Sequence, residues 1–153
     1  MSYFSKMTTT TNDPNRRNVV IMGRRSWDCI PSKFKPLPNR INFVLSRSNL
    51  NLSEYPDTFV FNSLQKAIDV LHSEAFKDLF EQVWIIGGAS LYEEALNSSN
   101  FYKLYLTKIH KVFDCDTFIP DLTKNLKEID EPNVPKEVQE ENGVNFSYHV
   151  YIK

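Results

Sequence analysis

Twice in this 153-residue chain a short apolar run ends on glycine and passes directly into a helical pattern. The first is Val19-Val20-Ile21-Met22-Gly23 ahead of Arg24; the second is Val83-Trp84-Ile85-Ile86-Gly87-Gly88 ahead of Ala89. An apolar run without polar alternation, as at Val19–Met22, is the pattern of a strand buried on both faces, which belongs in a parallel sheet covered by helices. Strand-to-helix passages of this kind restrict the chain to α/β architectures.

The other elements agree. Ile41-Asn42-Phe43-Val44-Leu45 and Thr58-Phe59-Val60-Phe61 read as strands separated by an Asn/Ser-rich turn region. Ser63 is placed to cap a helix whose apolar positions Leu64, Ala67, Ile68 and Leu71 recur at helical spacing. Ser26 is expected to cap a short helix that stops before Pro31, and Leu91, Ala95 and Leu96 form the buried face of the helix after Gly88. From Tyr102 the character changes. Leu104, Leu106 and Ile109 mark one strand, Phe146, Val150 and Ile152 another, and no helical pattern separates them. The expected fold is a single α/β domain over residues 1–153, its sheet mostly parallel with an antiparallel C-terminal edge.

Charge narrows the function. The 18 basic and 19 acidic side chains nearly cancel, which argues against a nucleic-acid binder or a membrane-surface protein. The basic groups are nevertheless gathered: eight Lys/Arg lie between Arg16 and Arg47 against the single acid Asp28. That clustering suits an anionic small molecule, and equally a solvated basic face. Cys29 and Cys115 have neither metal-ligand spacing nor a disulfide framework, and His72, His110 and His149 are isolated, so no metal is expected. No apolar run approaches the roughly twenty residues that span a bilayer, and no targeting segment is recognisable, so a reducing cytoplasm is the expected setting.

The chemistry gathers at strand ends. Two glycines before a helix let the backbone approach a phosphate, although the same pair also serves a plain tight turn. Gly23-Arg24-Arg25-Ser26 repeats the arrangement with two guanidinium groups and a hydroxyl, and Leu45-Ser46-Arg47 ends a third strand. Arginine binds phosphate bidentately and stays charged. In open α/β sheets ligands collect at the carboxyl ends of the strands, so these segments are expected to converge on one phosphorylated ligand. No G-x-G-x-x-G occurs, which sets the site apart from a Rossmann fingerprint.

Gly23-Arg24-Arg25-Ser26-Trp27 with Ile30-Pro31, Pro36-Leu37-Pro38-Asn39-Arg40-Ile41-Asn42, Leu45-Ser46-Arg47, Trp84-Ile85-Ile86-Gly87-Gly88 and Asp116-Thr117-Phe118 together resemble the dihydrofolate reductases of animal type. The likeness runs in order from about Tyr3 to the C-terminus. It implies a monomer that transfers hydride from NADPH to dihydrofolate, giving tetrahydrofolate. By the same resemblance Arg24, Ser46 and Arg47 hold the 2′-phosphate of the cofactor. Arg25, Ser26, Gly88, Ala89, Ser90 and Leu91 line its pyrophosphate side, with Gly87-Gly88 joined by a cis peptide. On the substrate side Phe4 packs on the pterin, Ile30, Leu37 and Ile86 are apolar walls, Tyr92 lies near the nicotinamide, Arg40 pairs with the α-carboxylate of the glutamate tail, and Thr117 partners a pterin-binding acid.

Two departures matter. A basic residue that often assists the 2′-phosphate in the family is replaced by Asn62. The family's opening strand, loop and acid-bearing helix start have no counterpart, so this chain begins just after the pterin-binding carboxylate, and no catalytic residue is assigned. The resemblance puts the lost strand inside the sheet, between Val83–Ile86 and Leu104–Ile109. Little activity is therefore expected from this chain. Three readings follow: an N-terminally incomplete dihydrofolate reductase, a non-catalytic NADPH-binding protein, or a subunit whose strand is supplied by another chain.

Overall fold

In the computed structural model, which describes residues 2–109 and 123–153, the chain divides into two compact units, Met1–Tyr92 and Glu93–Lys153. The first is built on β1 (Arg17–Gly23), preceded by the helix α1 (Ser2–Thr9). After β1 come α2 (Arg24–Cys29), a single 3-10 turn at Ser32–Phe34, β2 (Arg40–Leu45), β3 (Thr58–Phe61), α3 (Leu64–Leu71), β4 (Phe80–Ile85) and the start of α4 (Ala89–Leu96). All pairings are parallel and the order is β3-β2-β1-β4.

The apolar run in β1 is buried as its composition requires: Val19, Val20, Ile21 and Met22 are all fully enclosed. Alternation splits them between two faces. Val20 and Met22 pack with Trp27, Val44 and Leu52, and Ile30, Leu37 and Ile86 cover that cluster. Phe43, paired with Ile21, meets the rings of Phe59, Phe61 and Phe76 at 4.7–5.9 Å. Among the described residues β4 is the terminal strand of this sheet, and Val83 is 38% exposed.

Asn18 is a polar residue buried at the start of β1. Its amide donates to the carbonyls of Thr8 and Thr10, both at 3.0 Å, and its oxygen accepts from Gln82 N–H at 3.1 Å. All polar atoms of that side chain are thereby used, and α1 is pinned to the sheet. Ser63 caps α3 as expected, accepting from Lys66 N–H at 3.2 Å. Ser26 does not cap α2. The helix starts two residues earlier with Gly23 as its cap, because β1 runs into it without a loop, and Ser26 lies within the first turn.

The second unit is antiparallel: β5 (Leu104–Ile109), β6 (Lys127–Ile129) and β7 (Gln139–Glu141) all relate to the long β8 (Val144–Ile152), with the order β5-β8-β6 and β7 also paired to β8. β5 and β8 match the expected strands. β6 and β7 escape the sequence reading because each is three residues long and mostly charged or polar, with no periodicity to detect. The β7–β8 hairpin turns at Asn142 and Gly143, both with positive φ, as a two-residue turn of this type demands. Among the described residues no helix is long and apolar enough to cross a membrane.

Candidate active site

In the order β3-β2-β1-β4 the chain leaves β1 towards β2 on one side and returns as β4 on the other. Such a reversal opens a crevice at the carboxyl ends of β1 and β4. There Gly23 N–H donates to the Gly87 carbonyl at 2.8 Å, and Ile86 N–H to that of Ile21 at 3.0 Å. Gly87 has φ +124°, a conformation closed to most side chains, and a Cβ on it would stand 3.4 Å from both Ser26 Oγ and Tyr92 Oη. The residue therefore draws α2 and α4 together. The Gly87–Gly88 peptide is cis, as the resemblance implied.

A Cβ on Gly88 would meet nothing within 4 Å, so this glycine faces open space. Beside that space the first turn of α4 carries the amides of Ala89, Ser90 and Leu91, which an α-helix leaves without internal acceptors. Ser90 is exposed and Leu91 is buried. Arg25 is exposed and meets no carboxylate among the described residues. Arg24 is committed: its Nε lies 3.2 Å from Asp28 Oδ2, one turn along α2. Burial raises the Tyr92 phenol above its ordinary value, so it remains a neutral hydrogen-bond donor at physiological pH.

A second region lies where β2 and β3 end. Ser46 N–H donates to the Phe61 carbonyl at 2.9 Å, tying the two strand ends together. They border an open hollow of about 410 Å³ lined by Ser46, Arg47, Ser48, Leu50, Asn62 and Lys66, among others. Ser46 Oγ donates to the Ser48 carbonyl at 3.1 Å, which fixes its rotamer. Arg24 is not part of this lining, so the trio expected at a 2′-phosphate is only partly brought together.

The third region surrounds Arg40, which is only 5% exposed. Its Nε donates to the Pro38 carbonyl at 3.0 Å and its Nη1 to Thr8 Oγ1 at 2.9 Å, while the guanidinium stands 5.9 Å from the centre of the Phe4 ring. Thr8 Oγ1 in turn donates to the Phe4 carbonyl at 2.9 Å. No carboxylate among the described residues meets this cation, and its pKa is lowered by desolvation. Leu37 is held by both polar atoms of Asn42, which accept from its N–H at 3.0 Å and donate to its carbonyl at 3.1 Å. Ile30, Leu37 and Ile86, the expected apolar walls, are brought together over the Trp27 cluster.

Thr117 lies outside the described residues, as do Cys115 and His110. Thr8, Asn42 and Lys66 are site residues that the sequence reading did not single out. Thr8 and Asn42 act through contacts made by the fold. Lys66 was visible as a basic residue in the first turn behind the Ser63 cap.

The family model for dihydrofolate reductase matches residues 1–153 of this chain. The dihydrofolate reductase of Heliothis virescens is 42% identical over 156 residues, covering 100% of this chain and 83% of that protein. The Sus scrofa enzyme of the same name is 42% identical, covering 99% and 82%. The solved structure of Schistosoma mansoni dihydrofolate reductase superposes with a TM-score of 0.87 at 40% identity, covering 99% of this chain and 82% of that one. With its strand ends, glycine pair and buried arginine arranged as described, and its whole length matched, this chain belongs to the dihydrofolate reductase family of NADPH-dependent oxidoreductases.

Proposed function

We propose that this chain binds NADPH at the carboxyl ends of its parallel strands, across the Gly87-Gly88 turn and the β2/β3 hollow, and dihydrofolate with its glutamate tail reaching Arg40 at the opposite, amino end of β2. The observation that carries this reading is the convergence of the Gly87-Gly88 turn and the β2/β3 hollow at the carboxyl ends of one parallel sheet. The open space at Gly88 and the amides of Ala89, Ser90 and Leu91 suit a pyrophosphate, with Arg25 and Ser26 on its flank. Ser46 and Arg47 suit the 2′-phosphate, and Arg24 joins them once it exchanges Asp28 for the ligand. Tyr92 stands where α4 faces α2 and orients the nicotinamide end as a neutral donor.

NADPH supplies the hydride when bound. Phe4 offers its ring to the pterin, and Ile30, Leu37 and Ile86 keep water away from the reacting face. Arg40 presents its remaining fork to the glutamate carboxylate, held in place beforehand by Pro38 and Thr8. Thr117 is the proposed partner of a pterin-binding acid. None of the assigned residues is itself an acid able to pass a proton to the pterin. A non-catalytic NADPH-binding role is the second reading.

Quenching of the two tryptophans by NADPH tests the first step: saturable binding supports it, and a folded chain that binds no NADPH defeats both readings. Absorbance-monitored NADPH oxidation with dihydrofolate then separates them, since brisk turnover by the 153-residue chain would remove the second. A monomer in the cytoplasm is the expected state, in keeping with an exposed free thiol at Cys29. The terminal position of β4 and the exposure of Val83 favour strand addition by another chain as the alternative, which light scattering distinguishes.

A further inference from the structure

We infer that Lys66 is a specificity-determining residue of the β2/β3 hollow, acting with Arg47 as the second cation for a dianionic phosphate monoester and so setting the preference for NADPH over NADH. The inference deepens the cofactor reading above and rests on it. Lys66 is the third residue of α3, and the Ser63 hydroxyl holds its backbone N–H at 3.2 Å, so its Cα is fixed beside the end of β3. Lys66 and Arg47 line one hollow, Lys66 from α3 and Arg47 from the segment that follows β2.

Neither cation meets a carboxylate among the described residues, and none of the residues lining the hollow is acidic. Two unpaired cations on one concave surface repel each other and raise the local potential, an arrangement that a divalent anion relieves. The neutral groups suit the same ligand. Ser48 adds a hydroxyl 3.2 Å from that of Ser46, and Leu50 and Val60, both packed on the core, give an apolar floor for a flat heterocycle. Asn62, lying in the same lining, is uncharged, so the second positive charge in the hollow comes from Lys66, four residues along the chain.

The test is equilibrium binding of NADPH and of NADH to the full chain and to K66Q, K66R and R47Q, with thermal melts to confirm that each is folded. Lys66→Gln is expected to weaken NADPH about tenfold, to leave NADH within twofold, and to flatten the salt dependence of NADPH binding. Lys66→Arg is expected to restore most of the loss. If Lys66→Gln weakens both cofactors equally, or neither, while Arg47→Gln selectively weakens NADPH, the assignment of Lys66 falls and the cofactor reading stands. If neither variant alters discrimination between the two cofactors, the hollow is not the phosphate site, and both fall.

Discussion

The Arg40 pocket and the β2/β3 hollow use the same chemistry in opposite ways. Arg40 is buried, wired to Pro38 and Thr8, and stacked near Phe4. Arg47 and Lys66 are exposed and meet no carboxylate among the described residues, carried by the segment after β2 and by α3. A buried cation without a counter-ion is costly to maintain, so the fold must hold it by hydrogen bonds, and it then recognises an anion with little reorganisation. Exposed cations cost the fold almost nothing, and what they gain from a ligand is screened by salt. The two regions should therefore respond differently to mutation, pH and ionic strength.

Arg40→Ala should have the largest effect because it acts on both binding and folding. Losing one member of a buried, charge-assisted pair costs about 2–5 kcal/mol, so dihydrofolate should bind at least about thirtyfold more weakly. Thr8 Oγ1 and the Pro38 carbonyl also lose their donor, which lowers stability by about 1–3 kcal/mol. Titration with dihydrofolate and with a pterin lacking the glutamate tail isolates the first effect, since only the tailed ligand should be affected. An equal loss for both would mean that Arg40 supports the pocket and does not meet the carboxylate.

Gly87→Ala comes next and should act on the cofactor side. Its φ of +124° becomes strained by about 1–3 kcal/mol, and the new methyl presses on Ser26 and Tyr92 from 3.4 Å. NADPH affinity should fall about tenfold at that energy, with the Arg40-dependent discrimination between tailed and tail-less pterins unchanged. Calorimetry with both ligands checks it, and loss of the tail effect would show that the two regions are coupled through α1 and β1.

Legibility in the sequence follows the same divide. Arg47, Gly87 and the glycine-led helices are local signals: a residue, its strand and the following helix are contiguous, so spacing alone places them. The buried state of Arg40 is not local. It depends on Thr8, thirty-two residues earlier, and on Asn18, which pins α1 to the sheet through Thr8 and Thr10. Periodicity does not report such contacts. Arg40 could be assigned a partner only through family resemblance, whereas the parallel strands were legible from the apolar runs themselves. The antiparallel unit was read in part: β8 alternates, but β6 and β7 are too short and polar to leave a pattern, and the Asn142-Gly143 turn was the local signal that could have revealed β7.

A pH titration sharpens the contrast without mutation. A phosphate monoester takes up its second proton near about pH 6, while a glutamate carboxyl does so near about pH 4. NADPH affinity should therefore decline by a few-fold as pH falls through about 6, and that of NADH should hold. The tail-dependent part of dihydrofolate binding should persist to below about pH 5. Parallel declines for NADPH and NADH would place the titrating group on the protein instead of on the 2′-phosphate.

The smallest expected effect comes from Asp28→Asn, which releases Arg24. Its ion pair is one turn along α2, with both side chains about half exposed, and such a pair is worth about 0.3–0.5 kcal/mol. If Arg24 swings to the cofactor only by giving up Asp28, removing the acid should tighten NADPH by no more than about threefold. The gain should vanish in high salt, where the Debye length contracts to about 3 Å at 1 M. NADH, which lacks the 2′-phosphate, should show no gain. A tenfold or larger change would mean that Asp28 controls the hollow, and the exposed cations there would then be as tightly governed as Arg40. No change in a folded variant would leave Arg24 on the surface of α2, with Arg47 and Lys66 carrying the phosphate between them.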